Sequence, residues 1–133
     1  MIATDPITFD VKAQFVLNEK QEPDHFIEME DGKPIYIYKI NLILEPPADA
    51  PKPQRVTFLL DETYYQPVRK ANMQGGKFVE EITSYGDFGL TAKLQAGEYI
   101  AAQSAHLSEL LKKSYGETSP NAIKEAIQRI EKN

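Results

Sequence analysis

The stretch ITFDVKAQFVL, residues 7–17, decides how the rest of the chain is read. Ile7, Phe9, Val11, Ala13, Phe15 and Leu17 occupy every second position, with Thr8, Asp10, Lys12 and Gln14 between them. Successive side chains of an extended strand point to opposite faces, so this pattern predicts a strand with one face in a core and one in water.

The same period continues downstream. HFIEME (25–30) and PIYIYKINLILE (34–45) flank Asp31-Gly32, a favoured two-residue hairpin turn, and Tyr36, Tyr38, Ile40, Leu42 and Leu44 share a face. PPADAPKP (46–53) holds four prolines and reads as an extended connection outside the sheet. In VTFLLDETYYQPVRK (56–70), Val56, Phe58 and Leu60 alternate with Thr57, Leu59 and Asp61. ANMQGG (71–76) reads as a turn and KFVEEI (77–82) as a short strand. YGDFGLTAKLQ (85–95) sets Phe88, Leu90, Ala92 and Leu94 inward, and GEYIAA (97–102) adds a last short strand. Seven or eight such strands predict an all-β fold, an immunoglobulin-like antiparallel β-sandwich, with a small barrel as the rival. The alternation argues against a parallel sheet, whose strands are continuously apolar and separated by helices.

Near residue 103 the period changes. Leu107, Leu110, Leu111 and Tyr115 make a helical stripe beginning after Ser104, and Gly116 stops it. Ser119 and Pro120 restart a helix as N-cap and first-turn proline, with Ile123, Ile127 and Ile130 on its apolar face and Glu125 placed to pair with Arg129. The expected organisation is a sandwich over 1–102 and a helical hairpin over 103–133 packed on it. That hairpin either covers the sheet or docks a partner, a second copy included, which would give a homo-oligomer through the C-terminal helices.

Composition excludes several classes. With 20 acidic against 15 basic residues, a net charge of -5 and no Lys/Arg stripe, the chain does not read as a nucleic-acid binder. It has no cysteine, hence no disulfide framework and no thiolate zinc site. Neither a signal peptide nor a membrane span is visible, which predicts a soluble, cytoplasmic protein. Chemistry is sparse. His25 and His106 lack metal-ligand spacing, and no serine sits in a nucleophile elbow. Gly75-Gly76-Lys77 is followed by Phe78 and a strand rather than by a hydroxyl and a helix, so it is a turn, not a phosphate loop. The acids of EMEDG fit a solvated hairpin tip better than a calcium loop. No catalytic residue, metal or cofactor is expected. The enzyme reading has one asset, a convergence of Asp61 and Asp87 at neighbouring strand ends.

Two strand ends remain, ETYY (62–65) and SYGDFG (84–89). Each sets aromatic beside small or hydroxylic residues, where a sandwich carries its binding loops. Tyrosine gives a flat apolar face with a polar tip, and Gly86 lets a ligand or a backbone approach closely. Either these residues wall a slot, or Tyr64 and Tyr85 simply finish the core.

VTFLLDETYYQPVRK and KFVEEITSYGDF together resemble the YEATS domain family, its prokaryotic branch more than its eukaryotic one, over Arg55 to Leu94. Phe58, Leu60, Thr63 and Tyr64 match a strand end of the type V/F-x-L-H-x-S/T-F, and Tyr85, Gly86 and Phe88 match a following W/Y-G/A-x-F loop. The resemblance implies an immunoglobulin-like sandwich and a non-enzymatic reader of modified lysine on a protein or peptide partner. By the same resemblance Thr63 would be the hydroxyl that holds a ligand carbonyl. Tyr64 and Tyr85 would be the sandwiching rings, Gly86 the residue lending a backbone amide, and Phe88 the inward aromatic. Pro67 and Arg69 match the proline and basic residue beyond. Asp61 stands where the readers carry histidine, which favours a cationic or donor-rich ligand. One extra residue precedes the Tyr85 loop, no H-x-W motif lies ahead of the first matched strand, and helices replace the closing strands. The candidate ligand-binding residues are therefore Asp61, Thr63, Tyr64, Tyr85 and Gly86.

Overall fold

The computed structural model describes residues 9–52 and 54–133; Ile7 and Thr8 of the first expected strand, and Pro53 of the proline-rich connection, lie outside them. The described residues form β1 (Asp10–Phe15), β2 (His25–Glu30), β3 (Lys33–Glu45), β4 (Gln54–Leu59), β5 (Val68–Lys70), β6 (Asn72–Gln74), β7 (Lys77–Ser84), β8 (Gly89–Ala96) and β9 (Tyr99–His106), followed by α1 (Leu107–Ser114) and α2 (Asn121–Lys132). Every strand pair is antiparallel. One sheet runs β1-β3-β7-β6 with β2 also on β3, and the other runs β5-β4-β8-β9.

The long strand β3 organises the first sheet. Its first half pairs with β2 and its second half with β1, so β1 and β2 act as one interrupted edge. The interruption is closed at Lys39, whose carbonyl accepts from the Val16 amide at 2.9 Å and whose amide donates to the Asp24 carbonyl at 3.0 Å. Asp31 and Gly32 both have positive φ, 53° and 77°, the backbone that a two-residue hairpin of matching twist demands.

Alternation delivers the core. Val11, Ala13, Phe15, Tyr38, Ile40, Leu42, Leu44, Phe78 and Ile82 from one sheet meet Val56, Phe58, Leu90, Ala92, Leu94 and Ala96 from the other in one buried cluster. Phe9 and Phe88 pack partly buried against it, while Leu17, 39% exposed, falls where the chain leaves the sheet edge. Two antiparallel sheets thus face one another across a shared interior.

The helices complete that interior. Leu107, Leu110, Leu111, Ile123, Ile127 and Ile130 belong to the same buried cluster, each fully buried side chain of this size contributing about 1.5–3 kcal/mol. The apolar stripes of both helices are thus buried within the chain's own core. Two polar ties fix them. The Phe15 amide donates to the Tyr115 hydroxyl at 2.9 Å, and the Arg129 guanidinium donates to the Tyr38 hydroxyl at 2.9 Å while lying 3.9 Å from the centre of the Tyr36 ring.

Four local expectations are corrected. The strand begun by GEYIAA reaches His106 because Tyr99–His106 pair residue by residue with Gly89–Ala96, so the helix starts at Leu107 and not after Ser104. ANMQGG is not all turn: Asn72–Gln74 form β6, and only Gly75-Gly76 reverse the chain. Pro120, not Ser119, occupies the N-cap of α2, and the Ser119 hydroxyl instead donates to the Gly116 carbonyl at 2.6 Å. Arg129 is drawn inward to Tyr36 and Tyr38 instead of pairing with Glu125. No helix among the described residues is long and apolar enough to cross a membrane.

Candidate functional site

Between β4 and β5 the chain makes a braced loop. The Leu60 amide donates to the Pro67 carbonyl at 2.8 Å, closing residues 61–66. Inside it the Asp61 carboxylate accepts from both the amide and the hydroxyl of Thr63, at 3.0 and 2.8 Å, and the Tyr64 amide donates to the Asp61 carbonyl at 3.0 Å. Gln66 takes a left-handed backbone, φ 52°, held from the far side by Arg69, which donates to the carbonyls of Gln66 and Tyr65 at 2.6 and 2.8 Å. Arg69 is thus a brace for the loop.

This geometry turns the two tyrosines in different directions. Tyr64 lies half-buried with its ring 4.9 Å from that of Phe88, and its hydroxyl donates to Ser84 Oγ at 2.8 Å. Ser84 Oγ also accepts from the Gly86 amide at 3.3 Å and donates to the Gly86 carbonyl at 2.8 Å, so this buried hydroxyl is fully used. Burial pushes the Tyr64 phenol up from its ordinary range. Tyr65 points into water, 83% exposed, and Tyr85 is 55% exposed.

A cleft of about 540 Å³ collects these residues: Asp61, Thr63, Tyr64, Tyr85 and Gly86 all line it. The sequence reading missed its outer wall. The Asp31-Gly32 turn sets Phe26 opposite Ile37, and Tyr85, just past the Tyr38–Ser84 pair that ends the β3–β7 register, lines the same cleft as Ile37. Phe26, Ile37 and Tyr85 form one row on the outer face, and Glu28 lines the cleft beside it. The turn alone fixes the Phe26–Ile37 register, so that much was readable from sequence.

Gly86 matters for packing. A Cβ on it would lie 3.0 Å from the Asn133 carbonyl carbon, and the Asp87 amide donates to the Asn133 carbonyl at 3.4 Å. The close approach Gly86 permits is therefore that of the chain's own backbone. Asp87 is committed too: both its oxygens receive Ser108, from the amide at 2.9 Å and the hydroxyl at 2.7 Å. Asp61 and Asp87 do line the same cleft, but one is held in a turn and the other at a helix start.

The chemical character of the cleft follows. Its lining includes three acids, Glu28, Asp61 and Asp87, and no lysine or arginine. The Thr63 hydrogen bonds, the amide first and then the hydroxyl, hold the Asp61 carboxyl below the usual carboxylate range, so it is anionic at neutral pH. The amides of Thr63, Tyr64, Gly86 and Asp87 are all consumed internally, as is the Thr63 hydroxyl proton. What faces a ligand is aromatic surface, acceptor oxygens and the hydroxyls of Tyr65, Thr83 and Tyr85. Among the described residues no group of three or more His, Cys, Asp or Glu is placed to hold a metal ion. No protein-family model matches the chain, and no curated protein matches it either.

Proposed function

We propose that the chain is a non-enzymatic binding module that takes a lysine-like side chain of a protein or peptide partner into this cleft. The observation that carries the reading is the pairing of exposed aromatic walls with acceptor oxygens and no competing cation. Aromatic faces and a carboxylate attract an ammonium group together, and the aliphatic stem of lysine suits the Phe26–Ile37–Tyr85 row. The sheet orders β1-β3-β7-β6 and β5-β4-β8-β9 support an immunoglobulin-like reading, because they match the four-strand and C-F-G arrangements of that sandwich with one added edge strand. They also agree with the YEATS resemblance.

Within that resemblance, the ligand class shifts. Holding an acyl carbonyl needs hydrogen-bond donors, and the Thr63 hydroxyl and Gly86 amide, which the resemblance gives that task, are already bonded within the chain. An ammonium or methylammonium side chain needs acceptors, which the cleft has. Titration of the protein with short peptides carrying lysine, trimethyl-lysine or acetyl-lysine, followed by amide NMR shifts, tests this. Shifts at Thr63, Tyr85 and Gly86 with the cationic peptides, and weaker ones with acetyl-lysine, are expected. Preference for acetyl-lysine would overturn the cationic reading. Absence of any shift would overturn the module itself. Assembly through the helical hairpin is the weaker reading, because the apolar stripes of α1 and α2 are buried in the chain's own core.

A further inference from the structure

Strand β9 ends the second sheet, and among the described residues its outer edge has no partner strand. Exposed edges invite a further strand, and proteins blunt them by shortness, charge, proline or cover. The other edges here are blunted. β5 and β6 have three residues each, β5 carrying Arg69 and Lys70. The edge made by β1 and β2 carries Asp10, Lys12, Glu28 and Glu30. β9, YIAAQSAH, has eight paired residues and neither a lysine, an acid nor a proline. Ile100 is 62% exposed, and Ala102, Gln103 and Ser104 are exposed as well.

We infer that β9 is a self-pairing edge that joins two copies of this chain, antiparallel, into one continuous eight-stranded sheet. The sequence of the strand is complementary to its own reverse. Two-fold pairing centred on Ala102 sets that alanine opposite itself. Tyr99 then faces Ala105 of the second copy and Ile100 faces Ser104, large against small on both faces. At each end His106 comes beside the Gly97-Glu98 turn of the second copy, an imidazole next to an acid. Ala102 pairs with Lys93 inside the chain, so the two Lys93 residues lie three strand spacings apart across the seam. That is about 14 Å, beyond the screening length of about 8 Å at physiological salt. A second copy therefore meets no like charge at close range. Such isologous pairing closes on itself and does not propagate into fibres.

Sedimentation velocity over a concentration series tests it, with substitutions at the centre of the seam. The wild-type chain should pass reversibly from the monomer mass of 15.1 kDa to twice that mass as concentration rises. Ala102→Lys puts two lysines face to face and should raise the dissociation constant at least tenfold, and exposed Ile100→Lys should act likewise. An equimolar mixture of Ala102→Lys and Ala102→Glu should recover the dimer, which no merely structural effect of either substitution would produce. A wild-type chain that stays monomeric throughout would overturn the inference. So would an Ala102→Lys chain that dimerises as wild type, or β9 edge amides already protected from exchange in dilute monomer.

Discussion

The carboxylate of Asp87 caps a helix to which it does not belong. It receives the Ser108 amide at 2.9 Å and the Ser108 hydroxyl at 2.7 Å, at the first turn of α1, whose own N-cap residue, His106, makes no side-chain capping hydrogen bond. The loop after β7 is thereby tied to the start of the helical hairpin. Loss of a capping acceptor typically costs about 0.5–2 kcal/mol. Asp87→Ala should lower stability within that range in urea unfolding, and Asp87→Asn, which keeps one acceptor oxygen, by less.

Tyr85 and Tyr64 should separate binding from folding. Tyr85, 55% exposed, can be cut to alanine with little change in melting temperature, yet it should weaken binding of a cationic lysine peptide by about 1–3 kcal/mol. Tyr64→Ala removes a ring packed on Phe88 and the hydrogen bond to Ser84, so it should weaken binding and destabilise the fold together. Calorimetric titration alongside a melt reads both. Equal stability losses in the two variants would contradict the different burial of the rings.

The strands were legible because their side chains alternate and each face has one environment; Val11, Ala13, Phe15, Ile40, Leu42 and Phe58 needed nothing more. The short pair β5 and β6 was not, because three residues carry no usable period and their pairing depends on β4 and β7 being already in place. At the site, adjacency in sequence named Asp61, Thr63, Tyr64, Tyr85 and Gly86 but could not say which donors were free. That depends on the turn that folds Thr63 back onto Asp61 and on the backbone of Asn133 arriving at Gly86, 47 positions away in the chain. A motif names side chains; only the closed loop shows which atoms remain for a ligand.

Two half-buried phenols should weaken the fold at alkaline pH. Burial raises both Tyr64 and Tyr115 above the ordinary value of 10.0. In the unfolded chain each ionises near that value, so the unfolded state loses its protons first and is stabilised relative to the folded one as pH rises. The contribution of these two groups should be level below about pH 10 and fall above it. Tyr115→Phe, although it leaves the Phe15 amide without its acceptor, should show a shallower fall when melts are compared across pH 9–11.

Packing of the hairpin can be weighed at one residue. Ile130 is fully buried in the common cluster. Ile130→Ala should cost about 2–5 kcal/mol, the range for truncating a large aliphatic side chain in a packed interior. Ile100→Ala, at a position 62% exposed, should cost far less in dilute solution. Similar losses from both would mean that α2 is not part of the cooperative core.

Asp61 gives the sharpest test of ligand charge, because its charge and its turn can be separated. Asn at this position keeps a side-chain oxygen where Thr63 donates, so Asp61→Asn should leave the 61–66 loop and the melting temperature nearly unchanged. The negative charge is lost, and only the ligand would notice. If the cleft holds an ammonium group, the variant should bind lysine and trimethyl-lysine peptides more weakly. Its affinity should also depend less steeply on salt, since attraction between exposed charges is screened by ions. A neutral ligand predicts the reverse: acetyl-lysine binding would survive the substitution, and salt would matter little in either protein. Measuring the affinity of both proteins for the three peptides at two salt concentrations distinguishes the cases, and an unchanged lysine affinity with an unchanged salt slope would remove Asp61 from the site.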